Sequence, residues 1–383
     1  MEWLAIARSK RLASSTTRSP RMGPQPVTRS RRSRRRPAVN HIAIDLGGRE
    51  SQICIRRPNG EITEEKRVPT RRLPALMQDW TASRVILETS AEAFQIADAA
   101  LASGHEVRVV PATMVKALGV GARGIKNDLR DARVLSEVSC RIDLPSVHVP
   151  SVAAREMKSA CGSREVLVEA RTKLVNNVRG WLRTKLWRVR SGVTTTFPTR
   201  VRGQATLQQE ALPDHIERML LVLDALNVQI KAADKQLQNL AGEHPVCRRL
   251  MTVPGVGPVT AVRFVAAIDD VKRFPTSHAV QSYLGLTPGE NSSSERQQRT
   301  GITKAGSTAL RTALIQGAWT AIRMCPREPM VQWATQIVLR RGKFIAVVAL
   351  ARKMAGILFA LWRDGTTYRA SMAACAVEAL APY

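Results

Sequence analysis

The sequence has few acidic residues for its length. Only 31 Asp and Glu stand against 59 Lys and Arg in 383 residues, which gives a formal net charge of +28. This balance lies outside the usual range of a metabolic enzyme and implies a partner that carries many negative charges. Nucleic acid fits best, because each phosphate that a basic side chain neutralises releases a condensed counterion. We find no basic amphipathic helix with aromatic residues on its other face and no lipidation signal, which disfavours a membrane partner.

Aromatic residues and metal-binding cysteine pairs are also scarce. Aromatic residues make up 4 % of the chain, which is consistent with a protein that recognises nucleic-acid backbone and shape. The six cysteines form no CxxC pair and have no histidine at zinc spacing, so we expect reduced thiols in a reducing compartment. The most apolar run, residues 344–362, has Arg352 and Lys353 at its centre, which favours a packed helix over a membrane span. We therefore predict a cytoplasmic, nucleoid-associated protein.

The length of the chain predicts more than one domain. We predict a disordered basic tail (1–39), an α/β domain (40–150), a basic helical linker (151–245), a carboxyl-terminal domain (246–370) and a short tail (371–383). The first 36 residues hold ten arginines and one lysine against a single glutamate, with many Ser and Pro. Three interpretations of that tail stay open: an electrostatic arm, an Arg-rich transit peptide, or an upstream start codon assigned in error.

Apolar runs separated by turn residues predict a sheet in the α/β domain. Strands are expected at 41–47, 51–57, 61–68, 84–88 and 106–111, with helices over 91–102 and from about Thr113 and Asn127. Three strands linked by tight turns and followed by alternating helix and strand are typical of the ribonuclease H-like fold. We predict that fold for this domain.

Four acidic residues of this domain are candidates for metal binding. Asp45 and Glu88 lie on short apolar strands, where an ionised carboxylate is costly unless it is paired or bound to a cation. Asp128 and Asp131 are three residues apart on a predicted helix, a spacing that alone most often marks a solvated face. If the fold gathers all four, Mg²⁺ would relieve their repulsion, and two such ions about 4 Å apart could drive a phosphodiester displacement.

Helical patterns follow in the carboxyl-terminal half. Apolar residues at alternating spacings of three and four predict a coiled-coil seam, with a buried bundle helix as the alternative; the seam comprises Ile216, Met219, Leu223, Leu226, Ile230, Ala233, Leu237 and Leu240. The stretch VPGVGP before an apolar helix resembles a helix-hairpin-helix turn, in which the backbone at Gly255 and Gly257 would hold a phosphate. A purely structural turn remains the alternative.

Three consecutive serines, residues 292–294, precede a basic run. Such a triplet is usually only a hydrophilic loop. A serine becomes a nucleophile towards phosphate where positive charge stabilises the transition state. The candidates for that charge, and for nucleic-acid binding in general, are Arg296, Arg299, Lys304 and Arg311.

The order of these motifs resembles a known family. Between residues 41 and 368 the chain carries, in this order, the motifs IDLGG, ILETS, VRVVP, GVGARGIKNDLRDARVL, VPGVGP, GLTPGENSS, GITKAGSTALR and RGKFIAVVALARKMAGILFALWRDG. The chain is similar to the DEDD transposases of insertion-sequence family one-ten, which are related to pilin-gene inverting recombinases and include bridge-RNA-guided recombinases.

The resemblance implies a RuvC-like amino-terminal domain whose acids bind Mg²⁺, with Mn²⁺ as the alternative ion. It maps those acids onto Asp45, Glu88, Asp128 and Asp131, and it maps a DNA-linking serine onto Ser293. In the family a glycine follows that serine, whereas this chain has Ser294. If the glycine needs a positive φ, Ser294 would strain the loop and slow the reaction.

The resemblance also implies partners. These are the DNA of the element ends and of the target, a structured non-coding guide RNA, and further copies of the chain in a dimer or tetramer. In such an assembly the acids of one subunit would meet the serine of another. Two rival functions remain open: a RuvC-like endonuclease that hydrolyses junctions with metal-activated water, and a non-catalytic nucleic-acid-binding protein.

Overall fold

A computed structural model describes residues 39–117, 128–290 and 299–368. The chain forms two compact units, Met1–Val147 and His148–Tyr383. The predicted tails, 1–39 and 371–383, lie outside the described residues except at Val39. Residues predicted as a helical linker and as a carboxyl-terminal domain share the second unit.

The first unit contains a mixed five-stranded sheet with the order β3-β2-β1-β4-β5. β1 pairs antiparallel with β2 and β2 with β3, whereas β1–β4 and β4–β5 are parallel. The strands are β1 His41–Asp45, β2 Glu50–Arg56, β3 Ile62–Pro69, β4 Arg84–Glu88 and β5 Glu106–Val110. The helices are α1 Leu73–Asp79, α2 Ala93–Ala102, α3 Ala112–Ala117 and α4 Asp128–Arg141. The predicted meander and the following alternation of helix and strand are present.

The central strands of this sheet are apolar on both faces. Ile42, Ala43 and Ile44 of β1 are all buried, as expected for a parallel strand covered on each side. β3, with the sequence ITEEKRVP, forms one edge and is mostly exposed. Its charged side chains protect that edge against pairing with another chain.

In its described residues, the second unit is helical apart from one short hairpin. The helices are α5 Val152–Thr184, α6 Phe197–Leu207, α7 Asp214–Glu243, α8 Pro245–Leu250, α9 Pro258–Ile268, α10 Ser277–Tyr283, α11 Thr308–Met324, α12 Pro329–Arg341 and α13 Lys343–Asp364. The hairpin pairs β6 Pro288–Glu290 with β7 Arg299–Ile302.

Helices α5 and α7 pack against each other as an antiparallel pair. Arg164 binds Asp234 at 2.5 Å, and Arg171 Nη1 donates to Asn227 Oδ1 at 3.4 Å. Each heptad contributes two apolar residues to the predicted seam, of which the first is buried and the second is half-buried. The buried residues are Ile216, Leu223, Ile230 and Leu237. Much of the seam therefore packs within this chain, which corresponds to the alternative of a buried bundle helix.

A carboxylate fixes the start of α5. Asp269, which ends α9 with a φ of 60°, accepts hydrogen bonds from the backbone N–H of Ser151 at 2.9 Å and from its Oγ–H at 2.6 Å. His148 Nε2 lies 2.5 Å from the same carboxylate. Burial raises the pKa of Asp269, but the hydrogen bonds from Ser151 and His148 outweigh it and lower that pKa below its usual value. Because Ser151 also caps α5, the charged Asp269 ties two helices together.

Helix α13 is the core helix of the second unit. By length and composition it could cross a membrane, yet half (50 %) of its most apolar window is buried inside the protein. Its two central charges have partners: Arg352 Nε donates to Gln281 Oε1 at 2.9 Å, and Lys353 Nζ lies 4.3 Å from the centre of the Trp333 ring. The packed helix predicted for residues 344–362 is therefore present.

The cysteines of the described residues form no disulfide with one another; they are Cys54, Cys140, Cys161, Cys247 and Cys325. Burial raises the pKa of Cys247 to about 12, so this thiol stays protonated. Cys375 lies outside the described residues.

Candidate active site

Two acids lie side by side where neighbouring strands end. β1 and β4 run parallel with Ile44 opposite Leu87, so the next residues, Asp45 and Glu88, follow at the carboxyl ends of both strands. Both side chains are partly exposed at the end of otherwise buried strands. The carboxyl ends of parallel strands are where ligands commonly bind in α/β proteins.

Both acids lie on the face of the sheet that α4 covers. Ala43 and Ile86 are paired across β1 and β4, and both pack in one cluster with Leu135 of α4. Side chains two residues apart on a strand share a face. Asp45 and Glu88 each stand two residues beyond a member of that cluster, so they point to the α4 side.

Helix α4 brings a third acid to the same end. Ser139 Oγ lies 2.7 Å from His41 Nδ1 at the beginning of β1, and Ser136 Oγ lies 3.3 Å from Sγ of Cys54, the β2 partner of Ala43. Helix α4 therefore runs antiparallel to β1. Eight residues of helix from Ser139 back to Asp131 span about 12 Å. Four residues of strand from His41 to Asp45 span about 13 Å. Asp131 therefore lies level with Asp45.

The orientation of Asp131 follows from the helix period. Leu135, which packs against the sheet, stands one turn after Asp131 and therefore on the same face. Oδ1 of Asp131 is shielded from solvent. Asp128 is the first residue of α4, and its side chain lies outside the described part of the structure.

These carboxylates suit a hard divalent cation, although the described side chains do not form a closed ligand set. The side chain of Asp128 is not among the described ones. Among those that are, no group of three His, Cys, Asp or Glu residues could hold a metal ion. Mg²⁺ usually keeps several waters and takes only one or two carboxylates together with substrate phosphates. One or two of these carboxylates, completed by waters and substrate phosphates, would therefore suffice for such an ion.

A bidentate ion pair fixes α4 over the sheet. Arg133 Nε and Nη2 each lie 2.5 Å from a carboxylate oxygen of Glu65 on β3. The hydrogen bonds from Arg133 hold the pKa of Glu65 below its usual range. Arg133, one of the basic residues beside the aspartate pair in sequence, thus positions the helix that carries them.

The two glycines predicted to bind phosphate have different environments. Gly255 has a φ of 84°, and a Cβ there would lie 2.1 Å from the carbonyl oxygen of Gly317 on α11. A side chain at Gly257, the residue before α9, would meet nothing within 4 Å. Gly255 is therefore required for close packing of the turn, whereas the backbone at Gly257 is open to a ligand.

The hairpin of the second unit carries the segment with the serines. β6 and β7 pair Pro288 with Ile302 and Glu290 with Arg299, which brings the two ends of residues 291–298 together. Ser293 and Arg296 lie in that segment, outside the described residues. The side chain of Arg299 is likewise outside them.

Arg311 stands inside the protein at the base of this hairpin. Its side chain is only 7 % exposed, and Nη1 donates to the carbonyl oxygens of Leu284 at 3.3 Å and Gly306 at 3.2 Å, and also to that of Ala305. These contacts make Arg311 a positioning residue for the hairpin, a role that its place in a basic run did not reveal. Lys304 is exposed and has a φ of 57°. Binding of nucleic acid by Arg311 or Lys304 stays a prediction.

Comparisons with known proteins decide the family. Residues 42–186 match the DEDD transposase family model of the IS110 type, described as "Transposase", and residues 247–332 match the model described as "Transposase IS116/IS110/IS902 family". A probable family 20 transposase of Pseudomonas aeruginosa is 33 % identical over 273 residues, which cover 70 % of this chain and 80 % of that protein. The chain belongs to the IS110 family of DEDD transposases.

Two further transposases align over nearly their whole length. The transposase for insertion sequence element IS1111A of Coxiella burnetii is 26 % identical over 348 residues, 88 % of this chain and 94 % of that protein. The transposase for insertion sequence element IS1328 of Yersinia enterocolitica is 26 % identical over 342 residues, 87 % of this chain and 99 % of that protein. This chain is accordingly a DNA transposase, an enzyme that acts on DNA.

The two family matches contain the two regions in which the candidate site residues lie. The DEDD match contains the mixed sheet and all four acids, and it assigns the first unit to the ribonuclease H-like fold. The second match contains the turn with Gly255 and the β6–β7 hairpin. DEDD transposase domains typically use divalent metal ions, which agrees with the carboxylate donors at the edge of the sheet.

Proposed function

We propose that this transposase is a Mg²⁺-dependent recombinase that cuts and rejoins DNA strands at the ends of an insertion sequence. The observation that carries the proposal is the placement of Asp45, Glu88 and Asp131 on one face and at one edge of the sheet. The register of β1 and β4 sets Asp45 beside Glu88, and the direction of α4 brings Asp131 towards the same edge, which supports a shared site.

Asp45, Glu88, Asp128 and Asp131 would hold the metal. All four are oxygen donors, as Mg²⁺ requires, and Mn²⁺ could replace it in the same ligands. The bound ion would stabilise negative charge that develops on phosphate oxygens during strand cleavage. The residues of the chain would fix the scissile phosphate at the edge of the sheet, beside the partly exposed Asp45 and Glu88.

Ser293 would be the nucleophile. Its Oγ would attack the phosphorus and form a phosphoserine ester while the bond from phosphorus to one sugar oxygen breaks. The serine proton would leave to a base, and the departing sugar oxygen would take up a proton. Rejoining would reverse these steps with the sugar oxygen of another strand. Positive charge close to Ser293 in sequence would come from Arg296, Arg299, Lys304 and Arg311. Arg311 also supports the hairpin.

The turn between α8 and α9 would contact the DNA backbone in the manner of a helix-hairpin-helix motif. The open backbone at Gly257, just before α9, supports that contact. Such a contact would add affinity without reading sequence. Target choice would instead come from a structured non-coding RNA, which the resemblance to bridge-RNA-guided recombinases implies and which the basic charge would accommodate.

We further propose that the transposase works as a homodimer or homotetramer in the cytoplasm, associated with the nucleoid. The outer face of α7 supports self-association. Leu221, Val222 and Val228 on that face are 58 %, 50 % and 65 % exposed. These side chains lie outside the predicted seam and would offer a second copy a separate apolar contact, with the acids of one subunit meeting Ser293 of another.

The test is an assay of purified full-length protein on DNA that carries the element ends, run with and without the RNA transcribed from those ends. With Mg²⁺ we expect strand cleavage and a protein–DNA adduct that survives denaturation, and with EDTA we expect neither. Cleavage without an adduct would instead indicate hydrolysis by metal-activated water, as in a RuvC-like endonuclease. Salt-sensitive binding with no metal-dependent product would contradict both enzymes.

A further inference from the structure

The junction of α12 and α13 exposes an unusual combination of side chains. α12 ends at Arg341 and α13 begins at Lys343, and Gly342 between them has a φ of 84°. All seven residues from 339 to 345 are exposed. Three of them are large and apolar: Phe344 is 81 % exposed, Leu339 is 77 % and Ile345 is 53 %. We name Arg340, Arg341, Lys343 and Phe344, with Trp319 of α11, the α12–α13 corner.

The aromatic ring at this corner is supported from one side and open on the other. Phe344 meets Trp319 edge to face, with ring centroids 6.4 Å apart and planes at 80°. Trp319 is half-buried and packs against the core of the second unit. Lys343 Nζ lies 5.2 Å from the centre of the Trp319 ring, a cation–π contact. The Phe344 ring is thus held in place while most of its surface faces solvent.

The charge around the ring is positive. Between residues 319 and 345 the sequence has five basic residues and one acid, Glu328. That acid is 2 % exposed and accepts a hydrogen bond from the Tyr368 hydroxyl at 3.1 Å, so it does not screen the surface. Arg340, Arg341 and Lys343 are all exposed. A ligand at this corner must therefore combine negative charge with a flat apolar group.

We propose that the α12–α13 corner binds an unpaired segment of DNA, with a base stacked on Phe344 and the flanking phosphates held by Arg340, Arg341 and Lys343. This rests on the proposed function, because cutting and rejoining strands exposes unpaired bases. Aromatic stacking together with a basic track is how proteins bind single strands. Bases in a duplex are already stacked on each other, so the corner should distinguish the two forms.

A membrane surface is the rival ligand, since exposed apolar residues beside basic ones also bind anionic lipid. The DNA-directed activity of the family and the core position of α13 favour DNA. A Phe344→Leu variant separates the two, because leucine keeps apolar bulk for lipid but offers no π-face to a base.

The experiment compares full-length protein with Phe344→Ala and Phe344→Leu variants by fluorescence anisotropy. The ligands are a labelled single-stranded oligodeoxynucleotide, the matched duplex, RNA of the same sequence and anionic phospholipid vesicles. We expect both variants to bind the single-stranded DNA roughly tenfold more weakly, as for loss of one base–aromatic stack. Duplex binding should stay within about twofold, since phosphate contacts dominate it. Leu207→Ala, at a leucine that is 78 % exposed on α6, is the matched control and should change nothing.

Two further measurements locate the contact. Arg340, Arg341 and Lys343 are replaced together by Gln. The slope of the logarithm of the binding constant for single-stranded DNA against the logarithm of the salt concentration should then become shallower by about 2, since each phosphate contact contributes about 0.7. An oligodeoxynucleotide with 5-iododeoxyuridine should crosslink to the tryptic peptide 344–352. A crosslink elsewhere, with unchanged single-strand affinity in both Phe344 variants, would overturn the proposal.

Other outcomes are equally decisive. If the Phe344 variants lost affinity equally for duplex and single-stranded DNA, the corner would contact only phosphate, and the proposed base stacking would be overturned. Loss of vesicle binding in Phe344→Ala but not in Phe344→Leu, with DNA binding unchanged, would assign the corner to membrane. A loss confined to RNA would overturn the choice of DNA. Metal-dependent cleavage, assayed on the same samples, tests the proposed function separately, so either proposal can fail while the other stands.

Discussion

Asp45→Asn and Asp131→Asn are each expected to slow DNA strand cleavage by about a thousandfold or more, since a catalytic metal contributes several kcal/mol to the transition state. Asparagine keeps the shape of aspartate but removes the charge that holds Mg²⁺. DNA affinity should change little, because it comes from the basic surface of the protein. The measurement is the single-turnover cleavage rate on element-end DNA, together with the dissociation constant for the same DNA.

Asp143→Asn is the matched control for these variants. Asp143 is an aspartate of the same unit, 59 % exposed, and its carboxylate lies 3.4 Å from Arg108 at the surface. Its cleavage rate should equal that of the parent protein. Full cleavage by Asp45→Asn would contradict the metal site, and equal slowing in Asp143→Asn would indicate a general effect of lost negative charge.

Ser293→Ala is expected to abolish the covalent protein–DNA adduct. No other atom at that position can form the ester, so the adduct should fall below detection, whereas Ser292→Ala and Ser294→Ala should keep it. The measurement is a denaturing gel of radiolabelled element-end DNA after incubation with Mg²⁺, with the linked peptide identified by mass spectrometry.

The neighbouring serines make this test specific. Loss of the adduct in Ser292→Ala or Ser294→Ala, with retention in Ser293→Ala, would move the nucleophile and leave the serine mechanism intact. Retention in all three variants, or cleavage with no adduct in the parent protein, would favour hydrolysis by metal-activated water.

The sheet of the first unit was predictable from the sequence because its strands are short apolar runs bounded by turns. Each predicted strand is present within a few residues, and RVILE forms β4 without change. The neighbouring positions of Asp45 and Glu88 followed from the expected strand order, and the register of β1 and β4 agrees with it. α1 was missed, since its apolar contacts are mainly the two buried residues Leu73 and Met77.

Long-range packing was not predictable from local patterns. The spacing of α7 indicated an apolar seam but could not show that α5 of the same chain covers much of it. Arg311 lay in a basic run, yet it is buried and donates to the backbone carbonyl of Leu284, which is distant in sequence, as well as to the nearby carbonyl of Gly306. The sequence around Gly255 predicted a phosphate contact. It could not show that Gly255 packs closely against Gly317, because that approach depends on the fold.

The claim that most needs a direct test is that the acids share one metal ion. Fe²⁺ can replace Mg²⁺ in oxygen ligands, and with peroxide and ascorbate it generates hydroxyl radicals that cut the nearby backbone. The fragments can then be mapped by mass spectrometry in the full-length protein. We expect cuts clustered near Asp45, Glu88 and residues 128–131 together, all suppressed by excess Mg²⁺ and absent in Asp45→Asn. Cuts at only one of these segments, or cuts that Mg²⁺ does not suppress, would contradict a shared metal ion.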